Sequence, residues 1–569
     1  MFKSNRKNRQ DRESVMHVSF YAKKAFAAKK ACAGRRASAL SGLLFVGMLA
    51  VVLSGCPQKG RLELMLDVPA DEDLNPLTNS ALKEVRMQVH RGGSIDVETV
   101  VWNEERQMLG FGEVGPGPVD AISLSGYSVD GRLLSYGRTG SFDVPDGGEF
   151  NVLLPFRRPL TYISGLEGAM QVFDTSLRNE KQILPPLIVD TDNQGAGTTF
   201  AASSTPDGRH ILLITHDPHK LIVVDTRDHS VKRTHTLNFK PYHMGISRDG
   251  RWVVAADPGE PNIRDGTLMV AGLNQVINNP NHSPITIGGL GDFPPAGRPA
   301  FMTLSDGRER VVMVGKRAPF DFDCNEESSV IHFIDPYTGQ MDPPLVLRGT
   351  ARAVAASPKS DYFFVAMPCD ETVLVVNPNN RDIEELLVEN PMDMAVSSPF
   401  ESTSYLYVGN VTAEGPNGVP AKLSVTTIEL DDYQFETIEV SFFNETILVR
   451  REPDGTKVTL TLEPRELRIW GMSLPPGEQK LSLLVYAIYE HGDINLGDDS
   501  LDARSISTDT YVTLDMNSGE IGGRYRTNCT DHSTGMPIPS EEGCLALPRG
   551  QEPEAPFFPW GITSIYGSQ

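Results

Sequence analysis

The sequence predicts an all-β chain: a seven-bladed β-propeller closed by its own C-terminal strand, preceded by a small β-sandwich. Three observations carry this expectation. A unit of four strands in about forty residues, Thr198 to Leu237, is followed by degenerate copies of itself. A pair of strands near Leu160 has no first strand before it. The chain ends in a lone strand-like segment that would supply the missing one.

Within the reference unit, alternation, β-branched residues and Gly/Asp/Pro punctuation mark strands at Phe200–Ser204, His210–Thr215, Leu221–Asp225 and Ser230–Leu237, with a turn at Pro206-Asp207-Gly208. One such sheet cannot bury both faces alone, so it needs neighbours of its own kind. Copies begin at Pro241, at Arg298 (third strand Val330–Asp335), at Ala351 (running to Val388), at Pro391 (third strand Ala421–Glu429) and at Arg465 (third strand Tyr511–Asp515). Leu160–Gly165 and Ala169–Asp174 read as the second and third strands of a split blade. Pro559–Thr563 resembles the first strand Ile469–Ser473 and would complete it, leaving the ring without a free sheet edge.

The S-x-D-G turn Ser247–Gly250, the related Ser305–Gly307, and the V-V-D or V-V-N triplets Val223–Asp225 and Val375–Asn377 resemble bacterial YVTN-type propeller repeats. WD-type Gly-His and Trp-Asp signatures are absent from the sequence. The resemblance spans about 400 residues and implies architecture; propellers carry binding, structural and enzymatic roles alike.

Formal net charge is −22. Residues 1–55 hold 11 Lys and Arg against 2 Asp and Glu, so the remainder has 41 basic and 72 acidic residues, a charge of −31. So acidic a surface repels phosphate backbones, and nucleic acid is not expected as a partner. There is no run of 18 or more apolar residues to span a bilayer. A basic N-terminal region, in which Met16 is an alternative start, leads into an apolar stretch that ends at Leu53-Ser54-Gly55-Cys56. This end resembles the bacterial lipobox. The resemblance implies a signal peptide over 1–55, diacylglyceryl attachment and acylation at Cys56, and a lipidated terminus over 56–60; the alternative is an ordinary signal peptide or uncleaved anchor that happens to end in Cys. Pro57 rather than Asp follows the cysteine, which favours the outer membrane.

Short strands over 61–156 suggest a small antiparallel sandwich of general Ig-like shape, with strands at Arg61–Asp67, Leu82–His90, Glu98–Trp102, Val119–Leu124, Leu133–Tyr136 and Phe150–Leu154. The propeller then occupies 157–569, with a hairpin inserted at about 441–464 (Glu445–Arg451 and Lys457–Glu463). Apart from Cys32 and Cys56, four cysteines remain, an even number for an oxidising compartment. Cys324 and Cys369 each lie between second and third strands of adjacent blades and so reach the same face; that pairing, with Cys529–Cys544, is the expected one, against free thiols as the alternative.

Nucleophile, phosphate-loop, dinucleotide and zinc-helix signatures are missing from the sequence. Two cation sites suggest themselves. His216 and His219, with His243 nearby, would suit a metal at the channel mouth. The acidic loop with Asp493, Asn495 and Asp498 would suit calcium, the one cofactor considered, although neither it nor the loop around Cys324 has calcium-loop spacing and both read equally as solvated loops. Aligning first strands on their turns puts Phe200, Tyr242, Arg352, Asp393, Arg468 and Phe558 at equivalent positions near the channel opening, with Pro299 in the fourth slot. Tyr242, His243, Arg352, Asp393 and Arg468 are therefore candidate ligand-binding residues, or else they pair and plug the channel. The expected function is a membrane-anchored extracytoplasmic lipoprotein whose non-catalytic propeller binds another envelope protein or a surface ligand. The alternative is a lactonase-like hydrolase or lyase with its site at the channel mouth.

Overall fold

A computed structural model describes residues 15–16, 60–92, 94–101, 113–147, 149–165, 169–176, 181–182, 187–188, 198–216, 218–259, 266–279, 284–288, 290–317, 324, 328–400, 403–412, 421–440, 445–451, 457–462, 464–477, 480–490, 505–526 and 559–564. The chain forms two compact units, Met1–Arg158 and Pro159–Gln569.

In the first unit, strands follow the spatial order Gly60–Asp67, Glu149–Arg157, Leu133–Arg138, Ala121–Tyr127, Glu84–Arg91, Ser94–Val101. The expectation of a wholly antiparallel arrangement is corrected here. Glu149–Arg157 runs parallel to Gly60–Asp67 and then, at Phe156 and Arg157, turns to antiparallel pairing with Leu133–Arg138. Apolar residues from strands across this sheet meet in one core that includes Leu64, Leu66, Val85, Ile122, Leu124, Leu134, Leu154 and Phe156. The strand read as Val119–Leu124 breaks at Asp120. Its amide donates to the carbonyl of His90 and its carboxylate accepts from Gly92, so Gly117–Val119 is freed to pair with Phe142–Val144.

The second unit is a β-propeller fold built from successive antiparallel sheets, numbered here in chain order. Sheet 1 has the order Lys181–Gln182, Ala169–Asp174, Leu160–Gly165, Pro559–Ser564, the last strand coming from the far end of the chain. Sheets 2 to 7 have four strands each in sequential order and begin with Thr198–Ser204, His243–Ile246, Ala300–Thr303, Ala353–Ala356, Pro391–Val396 and Pro464–Ser473. Glu445–Arg451 and Lys457–Leu462 pair as a separate hairpin.

Burial follows position in the sheet. Second strands such as His210–His216 and Glu309–Gly315 are buried at every residue, whereas the fourth strand Val231–Thr236 is exposed or half-buried throughout. Apolar side chains join neighbouring sheets. Leu212 and Val223 of sheet 2 pack with Val253 and Met269 of sheet 3. Val425 of sheet 6 packs with Leu483 and Val512 of sheet 7. Ile163 and Phe173 of sheet 1 pack with Leu484 and Tyr511 of sheet 7. The first strands lie innermost, and close packing there demands small residues. A Cβ on Gly245 of sheet 3 would stand 2.5 Å from the Pro299 carbonyl oxygen at the entry to sheet 4, a distance that excludes any side chain.

Candidate functional site

The first strand of each sheet starts at the end where its second strand finishes. Tyr242 and Arg352 show this: their amides donate to the carbonyls of Ala256 and Ala366, near the ends of the second strands of sheets 3 and 5. The residues that open first strands therefore share one end of the unit with the loops joining second to third strands.

Four charged groups converge there on the inner strand of sheet 7. Asp393 of sheet 6 accepts the Met472 amide at 2.9 Å and the amide of its own neighbour Met394 at 2.9 Å. Arg352, entering sheet 5, donates to the Ile469 carbonyl at 3.4 Å. Arg298, entering sheet 4, places a guanidinium nitrogen 3.8 Å from the point where a Cβ on Gly471 would lie. Arg468 lies on the same sheet 7 strand and is ion-paired with Glu466. Sheets 4 and 5 are not sequential neighbours of sheet 7, so Arg298 and Arg352 reach through the interior of the unit rather than along a sheet interface.

Each of His243, Arg298, Arg352 and Asp393 is half-buried. Burial pushes Arg352 down to about 10, with nearby Asp393 opposing the shift and Arg468 adding to it; the group stays charged at neutral pH. Burial raises the Asp393 carboxyl, while Arg298, Arg352 and the two amides hold it down. His243 is pushed down to about 4 by burial and by the positive charges of Arg298 and Arg352, so it is neutral at pH 7. Its folded-state value lies below its ordinary 6.5, so between those values the unfolded chain holds a proton that the folded chain does not. The stability it supplies is complete above about pH 6.5 and is lost as pH falls toward 4. His243→Gln is expected to flatten the stability-versus-pH slope in that window by up to about 1.4 kcal/mol per pH unit, read from urea midpoints at pH 4, 5, 6 and 7.

The other sequence-derived candidates separate from this cluster. Tyr242 packs edge-on against His216 with ring centroids 4.4 Å apart, and His219 lies 6.0 Å from His216. His216 Nε2 is hydrogen-bonded to the Pro241 carbonyl. The expected convergence of His216, His219 and His243 on one metal is corrected: among the described residues no three His, Cys, Asp or Glu side chains gather to hold an ion. The reason is that His216 turns to the backbone and ring of the adjoining segment, whereas His243 faces the arginines. Arg298 escaped the sequence alignment because Pro299 occupied the aligned slot; the signal was a cation one residue earlier. Cys56, Cys529, Cys544, Asp493, Asn495, Asp498 and Phe558 lie outside the described residues.

The opposite end of the axis is bridged differently. Arg248, in the turn after the first strand of sheet 3, donates to the carbonyls of Ser357 at 2.6 Å and Ala356, at the far end of the first strand of sheet 5. A disulfide joins Cys324 and Cys369, with Cα atoms 5.5 Å apart, linking the second-to-third-strand loops of sheets 4 and 5. Cys369 lies three residues after Ala366, so the staple sits at the same end as Arg352.

Fold and site define a β-propeller with a cluster of Arg298, Arg352, Asp393 and Arg468 on its inner strands and a disulfide at the same end of the sheets. No family model matches the chain, and no curated protein matches it by sequence. Among solved structures it is similar to a protein of unknown function from Desulfotomaculum acetoxidans, with 13% identity over 65% of this chain and 98% of that one, at a TM-score of 0.39. It is also similar to a protein assigned as TolB from Agrobacterium tumefaciens (13% identity, 49% and 88% covered, TM-score 0.32). A chain of a nidogen/laminin complex is a third (11% identity, 49% and 92% covered, TM-score 0.31).

Proposed function

We propose that this chain is a lipid-anchored extracytoplasmic binding protein. Its seven-bladed propeller, closed by Pro559–Ser564 and tethered through lipidated Cys56, engages another envelope protein and performs no catalysis. The supporting observation is the Cys324–Cys369 bridge. A structural disulfide of this kind persists in oxidising compartments outside the cytoplasm. It also holds two neighbouring loops in register on the face where the first strands open, and a rigid loop-bearing face is the usual platform for a partner. The apolar stretch ending at Leu53-Ser54-Gly55-Cys56 supports the anchor, and Pro57 after it supports the outer membrane. Crosslinking and pull-down from native membranes is the test, with the intact chain and a Cys324→Ser/Cys369→Ser double variant as parallel baits. The expected result is one envelope protein recovered reproducibly by the intact chain and depleted with the variant. Recovery of no protein by either bait would overturn the reading.

A further inference from the structure

We propose that the turn joining third to fourth strands latches each sheet onto the preceding one, and that His229 is the latch that holds the split sheet 1 closed. Non-glycine residues rarely adopt a positive φ, because the Cβ then crowds the backbone. Three of the five that do so among the described residues are His229 (φ 57°), Arg381 (φ 62°) and Tyr433 (φ 55°). They occupy one equivalent position, in turns of sheets 2, 5 and 6 where the amides of Asp225, Asn377 and Glu429 donate to the carbonyls of Ser230, Asp382 and Gln434. Glycine or asparagine would sit there with less strain. Each of the three side chains instead reaches back to the sheet before its own. His229 Nε2 lies 2.9 Å from the hydroxyl of Tyr162 in sheet 1. Arg381 donates to the carbonyls of Pro343 (2.8 Å) and Pro344 (3.5 Å) in sheet 4. Tyr433 packs on the core that includes Phe364 and Val375 of sheet 5, beside Tyr362 and Glu384.

In sheets 4 and 7 the same position holds Gly339 (φ 70°) and Gly519 (φ 71°). A Cβ there would stand 2.9 Å from Ile285 of sheet 3 or 3.1 Å from Ile438 of sheet 6, so the turn backbone itself rests on the preceding sheet. In sheet 4 the reach passes to Tyr337, whose hydroxyl accepts from Arg251 of sheet 3 at 2.6 Å and whose ring meets Trp252 edge-on. Sheet 3 has the helix Leu273–Asn278 in place of the turn, and there the Val276 carbonyl accepts from His235 of sheet 2 at 2.7 Å. In sheet 1 the Thr175 carbonyl, just after Ala169–Asp174, accepts from Lys480 of sheet 7 at 2.8 Å. Direction is thus constant while the chemistry changes from sheet to sheet. His229 differs from the others in what it holds. Tyr162 is the direct partner of Thr563 in the C-terminal strand Pro559–Ser564, which reaches sheet 1 from the far end of the chain. Tyr162 and His229 are both buried, where a hydrogen bond between side chains is shielded from water.

The latch rests on the closure of sheet 1 by Pro559–Ser564 and requires neither lipidation nor a protein partner. Native-state hydrogen exchange of the Trp560–Ser564 amides and urea midpoints test it on the purified full chain in detergent. In the wild type these amides should be protected; free-chain exchange there would overturn closure and latch together. Asparagine tolerates a positive φ, so an incidental side chain at 229 predicts a midpoint in His229→Asn equal to wild type or above it. The latch predicts a lower midpoint, with exchange at Trp560–Ser564 accelerated roughly fivefold or more. Tyr162→Phe removes the same bond from the other side with little change of volume, and should add no further loss when combined with His229→Asn. Tyr433→Asn should lower the midpoint yet accelerate these amides less than His229→Asn, because its contacts join sheets 5 and 6. Circular dichroism checks that each variant is folded; if His229→Asn is not, Tyr162→Phe decides the matter. Wild-type midpoint and wild-type protection of Trp560–Ser564 in folded His229→Asn or Tyr162→Phe protein overturn the proposal.

Discussion

Replacing Asp393 by alanine is expected to destabilise the propeller unit by about 3–5 kcal/mol. This carboxylate ties sheet 6 to sheet 7 through the Met472 amide and lies in the field of both Arg298 and Arg352. Its removal orphans two backbone amides and takes a carboxylate away from Arg298 and Arg352, and breaking a buried charged set from one side is far more damaging than replacing it whole. Asp393→Asn keeps the volume and one acceptor oxygen, so its loss should be smaller. Urea denaturation followed by tryptophan fluorescence measures both. A wild-type midpoint in Asp393→Ala would show that the amides at 394 and 472 are satisfied without this side chain.

Loss of the Cys324–Cys369 bridge is the second large effect. The cysteines are 45 residues apart in sequence, and closing a loop of that length removes enough unfolded-chain entropy to stabilise the fold by about 4 kcal/mol in the chain-entropy account. Reductant should therefore lower the urea midpoint of the intact chain by that free energy and should have a much smaller effect on the Cys324→Ser/Cys369→Ser variant. The two loops lie at the same end of the sheets as Arg352, so loosening them should also expose the stapled rim to protease before the rest of the unit opens. Equal midpoints with and without reductant would show that the bridge constrains the rim alone.

Local chemistry made most of the architecture legible. Each Gly/Asp/Pro turn and each β-branched run acts over four to eight residues, so strands such as Leu160–Gly165 and Ala169–Asp174 are found where the sequence pattern places them. Strand ends were less legible. His210–His216 and Ser505–Asp515 run beyond the apolar core of their patterns because cross-strand hydrogen bonds continue into polar residues. In the first unit, period-2 patterning identified strands but carried no information on direction, and so missed the parallel pairing of Glu149–Arg157 with Gly60–Asp67.

The candidate site divides in the same way. The sequence alone determined a repeating all-β chain, the strand-to-turn register that singles out Arg352, Asp393 and Arg468, an even set of cysteines, and an acidic charge balance that argues against nucleic acid. All of these are local or additive properties. Only the tertiary structure decided which residues meet. It brought Arg298 to the inner strand of sheet 7, turned His216 away from His243, and set Arg248 across the far end of the axis. Those encounters link positions up to about 170 residues apart along the chain. They are set by how the sheets pack around a common axis, and no short-range pattern in the sequence encodes that.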